Sequence, residues 1–134
     1  MATVVTATTR KYKDLDLAFM AHPIKKDVNK HVDEMAVINS VKNLISTSRY
    51  ERPFQPQLGS GVRNLLFENM DSITSSALKR EIVQTLENYE PRVIVKSVAV
   101  SPDYENNSYS IGMTFLIVNR TDPITINFFL QRDR

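Results

Sequence analysis

Apolar residues recur at helical spacing in two stretches of this chain and at strand spacing in several others. Leu78, Ile82, Leu86 and Tyr89 follow one another at intervals of four, four and three. That spacing lines one face of a helix over about residues 72–89. At 1.5 Å per residue it would be about 27 Å long, enough to cross a small sheet. Asp71 or Ser72 stands where a cap is needed. A second stripe, Ile38, Val41 and Ile45, is flanked by Val37 and Leu44 and opposed by Asn39, Lys42 and Asn43. Asp33 is placed to cap this helix and Glu34 sits in its first turn, where the helix dipole favours negative charge. The helix is expected to end near Ser46-Thr47-Ser48. Leu65-Leu66-Phe67 reads as a short helix packed on the core.

Strand periodicity takes over elsewhere. Leu15, Leu17 and Phe19 alternate with Asp14, Asp16 and Ala18, as in a half-buried strand with its aspartates toward solvent. Val93 to Val100 is apolar on both faces except at Lys96 and Ser97, which predicts a well-covered strand. Tyr109, Ile111, Met113, Phe115 and Ile117 alternate with small polar residues and glycine, and Ile124, Ile126, Phe128 and Leu130 alternate with Thr125, Asn127 and Gln131. Turn-forming residues at 102–107 and 119–123 separate these runs. Short turns between consecutive strands make an antiparallel meander. Helices and strands are segregated, so the fold class is α+β: an antiparallel sheet of three to four strands carrying the long helix and one or two further helices.

Proline and glycine mark the joints. Pro91 restricts Glu90 to extended geometry and has no N–H to continue a helix, so Glu90-Pro91-Arg92 is a stiff corner between the long helix and the meander. Its two charges suit either a surface ion pair on a plain turn or a recognition corner. Residues 49–64 hold two prolines and two of the three glycines and form a shaped loop. Gly59-Ser60-Gly61 reads as turn geometry, with an anion cradle as the alternative. No Gly-Lys-Ser/Thr follows, which argues against a nucleotide site. Arg49, Arg52 and Arg63 around this loop are candidates for gripping the carboxylates of a partner. The Thr-rich residues 1–11 read as an arm.

Composition narrows the function. The chain of 134 residues suits one domain, and 17 Lys+Arg against 15 Asp+Glu is too balanced to point to nucleic acid. No cysteine is present, which removes thiolate metal sites, disulfides and a Cys nucleophile. No apolar run reaches the roughly 20 residues of a membrane span, and no secretory leader is evident. His22 and His31 lack a third metal ligand and any nucleophile elbow, so neither a metal, a cofactor nor a triad is expected. Glu51, Glu68, Glu87 and Glu90 are available to a glycosidase, but no spacing pairs them. The uncharged, β-prone run Ile124-Thr125-Ile126-Asn127-Phe128-Phe129-Leu130 is a candidate open edge to which another chain adds a strand. The alternative is that the Asp14–Phe19 segment or a loop covers it.

Several of these pieces occur in one order: an Asp-Leu-rich N-terminal strand, a helix ending in Ser46-Thr47-Ser48, the Arg49-to-Phe67 block with Gly59, and Leu65-Leu66-Phe67-Glu68. The long helix, Glu90-Pro91-Arg92 and a meander follow. Over roughly residues 14–130 this resembles the baseplate wedge family of contractile phage tails, whose members act as sheath initiators and which is similar to a type VI secretion baseplate subunit. Relatives commonly read Gly-Glu-Arg in the loop, where this chain has Arg49-Tyr50-Glu51-Arg52. The resemblance implies a structural virion protein and not an enzyme, located in the tail baseplate and assembled in the host cytoplasm. It implies that Glu90, Pro91 and Arg92, with Arg49, Arg52 and Arg63, face other wedge subunits. The edge from Ile124 to Leu130 would face the tail sheath protein and template its first ring. No nucleic acid, membrane or small-molecule substrate is implied. The alternative is a peptidoglycan-degrading tail lysozyme, a label some relatives carry, although no residue pattern here supports it.

Overall fold

A computed structural model describes residues 12–15, 20–21, 23–24, 27 and 30–132. The expected arm at residues 1–11, the Asp16–Phe19 part of the first strand and His22 lie outside the described residues. In chain order the elements are β1 (Lys13–Leu15), β2 (Lys30–Val32), α1 (Glu34–Ser46), α2 (Val62–Leu65), α3 (Ser72–Tyr89), β3 (Val93–Asp103), β4 (Ser108–Ile117) and β5 (Ile124–Gln131). The last three form an antiparallel sheet in the order β3-β4-β5, and β1 and β2 form a separate antiparallel ribbon. The architecture is the α+β meander that the periodicities predict.

Helix α3 holds the layers together. Asp71 is its cap, its carboxylate accepting the Thr74 N–H at 2.7 Å. Two opposing effects act on this carboxyl, and the Thr74 hydrogen bonds prevail and hold its pKa below the ordinary value. Leu78, Ile82 and Leu86 are wholly buried against the sheet. The sheet answers with the inward face of its central strand, where Tyr109, Ile111, Met113, Phe115 and Ile117 are buried at every second position. Helix α1 contributes Val37, Val41, Leu44 and Ile45 to the same core.

Five expectations need correction. Ile38 is only half-buried, and the buried stripe of α1 centres on Val37, Val41, Leu44 and Ile45. Asp33 stands at the N-cap position but makes no capping bond. At φ 56° its N–H is drawn to the Tyr12 carbonyl at 2.7 Å and its carboxylate lies 3.9 Å from Arg120. The short helix is Val62–Leu65, earlier than Leu65-Leu66-Phe67. Leu66 is buried but Phe67 turns outward. In β1 the pattern is inverted: Asp14 is half-buried because it faces Arg92, and Leu15 is exposed. Finally, Pro102 and Asp103 belong to β3, not to the turn, and the strand is not well covered. Only Val93 and Val98 are buried on it, and Ile94 faces solvent. A register break between Val95 and Ser97 explains the reading. The bulge at Lys96 resets the pleat, so apolar residues occupy both sequence parities without both faces being buried.

Candidate functional site

The corner after α3 is built from both main-chain and side-chain bonds. The Glu90 N–H donates to Leu86 O at 2.9 Å, closing the helix, and its carbonyl accepts the Val93 N–H at 3.1 Å. Arg92 O then accepts the Val118 N–H at 2.9 Å and starts the ladder to β4. The Glu90 side chain is turned inward and the residue is only 4% exposed. Arg92 grips it with two bonds, Nε to Oε1 at 2.6 Å and Nη2 to Oε2 at 2.9 Å. The Ser40 hydroxyl of α1 donates to the same carboxylate. The guanidinium also lies 3.8 Å from Asp14 of β1 and 5.3 Å from the centre of the Tyr12 ring, a cation–π distance. The pair is therefore a buried tie between α1, α3, β1 and β3, not a surface ion pair.

Burial pushes the Glu90 carboxyl up, but the bonds from Arg92 and Ser40 outweigh it and hold it below the usual carboxylate range. Arg92 is raised in turn by its bonds to Glu90. An ionised, fully bonded carboxylate is the opposite of the protonated acid that glycoside cleavage needs. Glu51, Glu68 and Glu87 lie exposed on the surface. Beside the corner is an open groove of about 400 Å³, lined by Asn39, Ser40 and Asn43 of α1, Arg52 and Leu58 of the loop, and Glu90.

The fold sends the three loop arginines to different places. Arg49 donates to Glu81 of α3 at 2.6 Å, and the same carboxylate oxygen accepts the Gly61 N–H at 2.7 Å. The Gly-Ser-Gly turn thus does cradle an anion, and the anion is the chain's own Glu81. Gly59 makes this turn possible: at φ +132° a Cβ would stand 2.8 Å from the carbonyl oxygens of Thr47 and Ser48. Arg52 lines the groove beside Glu90. Arg63 is exposed on α2 and lines a different recess, with Phe67 and Leu130. Sequence reasoning passed over Tyr50 and Phe54, which this loop presents to solvent, Phe54 at 97% exposure. The loop is held by Tyr50 N–H to Pro56 O at 2.8 Å and Tyr89 O–H to Gln57 O at 2.6 Å. The available signal was two aromatics in a Pro-rich segment with no apolar partner at strand or helix spacing.

The two sheet edges differ. Arg132 N–H donates to Asn107 O at 3.2 Å, and the register continues through Leu130 opposite Tyr109, Phe128 opposite Ile111 and Ile126 opposite Met113. Hydrogen-bonded pairs alternate along an antiparallel ladder, so Ile124, Ile126, Phe128 and Leu130 spend their main-chain groups on β4. Thr125, Asn127, Phe129 and Gln131 turn theirs to the outer side of β5. No proline, bulge or charge interrupts that strand. The β3 edge is broken by the Lys96 bulge, and Pro102 has no N–H to offer there. Among the described residues β5 pairs only with β4, while Lys13–Leu15 pairs with β2. Ile124, Phe128 and Leu130 are half-buried, Ile126 is buried and Phe129 is 70% exposed.

The chain matches the family described as "Baseplate wedge protein gp25" over residues 31–120. It belongs to that family. Baseplate wedge protein gp25 of Enterobacteria phage T4 is 32% identical over 113 residues, which span 84% of this chain and 85% of the phage protein. Among solved structures, a putative tail lysozyme from Geobacter sulfurreducens aligns with a TM-score of 0.69 at 21% identity, covering 75% of this chain and 92% of that one. A chain of the anti-feeding prophage baseplate aligns with a TM-score of 0.64 at 18% identity, covering 92% of this chain and 88% of that one. At such identities these likenesses speak for the fold alone. Among the described residues no cluster of His, Asp and Glu is arranged to hold a metal, and no helix is long and apolar enough to cross a membrane.

Proposed function

We propose that this gp25-family wedge protein is a structural adaptor of a contractile tail, joining the wedge core to the first ring of tail sheath and templating the sheath by strand addition along β5. The supporting observation is the contrast between the sheet's two edges. Natural sheets blunt edges that must not pair, and β3 carries such devices while β5 carries none. An added strand would gain the outward N–H and C=O groups of Thr125, Asn127, Phe129 and Gln131. A contact of this head-to-tail kind propagates along a tube without closing on itself. On this reading the Glu90-Pro91-Arg92 corner and the groove beside it, with Arg52 on its wall, face the other wedge subunits. Arg49 and Arg63 would contribute from the flanks. The protein acts in the tail baseplate of the virion after assembly in the host cytoplasm, through protein partners and without nucleic acid, membrane or cofactor.

Proline substitution tests the edge. Asn127→Pro removes an N–H that points away from β4, so the monomer should stay folded while sheath protein no longer assembles on it. Ile126→Pro removes a ladder bond and a buried side chain, and should cost about 3 kcal/mol or more of stability. Normal sheath growth on folded Asn127→Pro protein would refute strand addition at β5. The peptidoglycan-cleaving alternative is tested by incubating the purified protein with cell wall. Release of muropeptides that disappears with one Glu→Gln change among Glu51, Glu68, Glu87 and Glu90 would establish it.

A further inference from the structure

Next to the outer side of β5 lies a second recess, of about 280 Å³. Its apolar walls are Ile45 of α1, Val62 of α2, Leu66 and Phe67 just after that helix, and Leu130 near the end of β5, with Ser46, Arg63 and Gln131 as the polar lining. No β4 residue contributes to it, so it opens at the edge of the sheet and not beneath its middle. Leu130 belongs to the inward-facing set of β5 with Ile124, Ile126 and Phe128. A strand added along β5 would lie about 5 Å beyond it and follow the same pleat. Its inward-facing side chain beside Leu130 would then meet the recess. The walls are mainly apolar, and among the described residues no carboxylate lines them.

Resting on the strand-addition reading above, we infer that this recess is a socket for one large apolar side chain of the added strand, and that filling it fixes the strand's register. Main-chain bonds alone would tolerate a slip of two residues, because the pleat repeats every second position. One bulky side chain that fits at one position removes that freedom. The partner segment is therefore extended and uncharged on its inward face, with a Leu, Ile, Met or Phe at the position beside Leu130.

The test uses the whole protein and the sheath protein of the same tail. Phe67 is 55% exposed, so Phe67→Asp should leave the melting temperature of the free protein nearly unchanged while placing a charge in the socket wall. It should weaken sheath-protein binding by about tenfold or more, the ratio expected when burial of one apolar side chain is lost. Phe67→Leu should bind nearly as the unsubstituted protein does. If Phe67→Asp fails to fold, Phe67→Ser removes the wall without adding charge and should lose affinity in the same direction. Hydrogen exchange of the unsubstituted complex should show new protection at Thr125, Asn127, Phe129 and Gln131. With that protection present, unchanged affinity of folded Phe67→Asp or Phe67→Ser overturns the socket and leaves strand addition standing. Absence of new protection anywhere on β5 overturns the strand-addition reading, and the socket with it.

Discussion

Replacing Arg92 by alanine should expose how much the fold depends on the Glu90 tie. The substitution leaves a carboxylate that is 4% exposed with the Ser40 hydroxyl as its remaining side-chain donor. Removing one partner of a fully buried ion pair costs about 3–5 kcal/mol. Arg92 is itself 24% exposed and shares its charge with half-exposed Asp14, so screening trims the expected loss to about 2–4 kcal/mol. For a domain of this size that is a fall of roughly 8–15 °C in melting temperature. Urea unfolding followed by circular dichroism measures it directly. The pH dependence gives a second readout. In the native protein Glu90 titrates below its ordinary 4.5, so the pair's stabilisation is fully present above pH 4.5 and is lost as pH falls through the lower folded value. Without Arg92, burial acts on Glu90 with much less opposition and raises its pKa. The variant should then gain stability on mild acidification, and the gap to the native protein should narrow toward pH 4. Replacing both residues together, Glu90→Met with Arg92→Met, should recover much of the loss, since neither charge is then left buried alone. A loss under 1 kcal/mol at pH 7, or a gap that widens on acidification, would refute the reasoning.

Two further substitutions probe the packing around this frame. Gly59→Ala should cost about 2 kcal/mol or more by calorimetry, because φ +132° is strained for any side chain and the new Cβ has two carbonyl oxygens 2.8 Å away. Tyr109→Phe should be neutral or stabilising by up to about 1 kcal/mol in urea unfolding, because the buried Tyr109 hydroxyl has no hydrogen-bond partner among the described residues.

Much of the fold was legible because it rests on local rules. The α3 face, its cap at Asp71, its arrest before Pro91 and the alternating faces of β4 and β5 follow from spacing and from two residues' backbone chemistry. The misreadings came where a distant partner overrode the local pattern. Asp14 is half-buried because Arg92, far along the chain, offers it a charge, and the Leu15 side chain is turned outward as a result. Asp33 abandons capping because Tyr12 and Arg120 engage it instead. The β3 misreading had a local signal that was missed: Val93, Val95, Val98 and Val100 are spaced two, three and two, which marks a bulge within a half-covered strand. Of the candidate site, the corner and the β5 run were visible as residues, but their physical condition was not. Nothing local says that Glu90 is buried, since its burial needs Ser40, fifty positions earlier.

The sequence alone thus determined the order of the main helices and strands, which residues face inward on α3, β4 and β5, and, through the order of its motifs, the resemblance to the wedge family. These depend on backbone dihedrals and on periodicity, both readable within a few residues. Tertiary structure alone decided which charges are desolvated, that Arg49, Arg52 and Arg63 go to three separate places, and which main-chain groups of β5 point away from β4. Desolvation and hydrogen-bond pairing are set by whatever lies opposite in space, and that is fixed only when the elements pack.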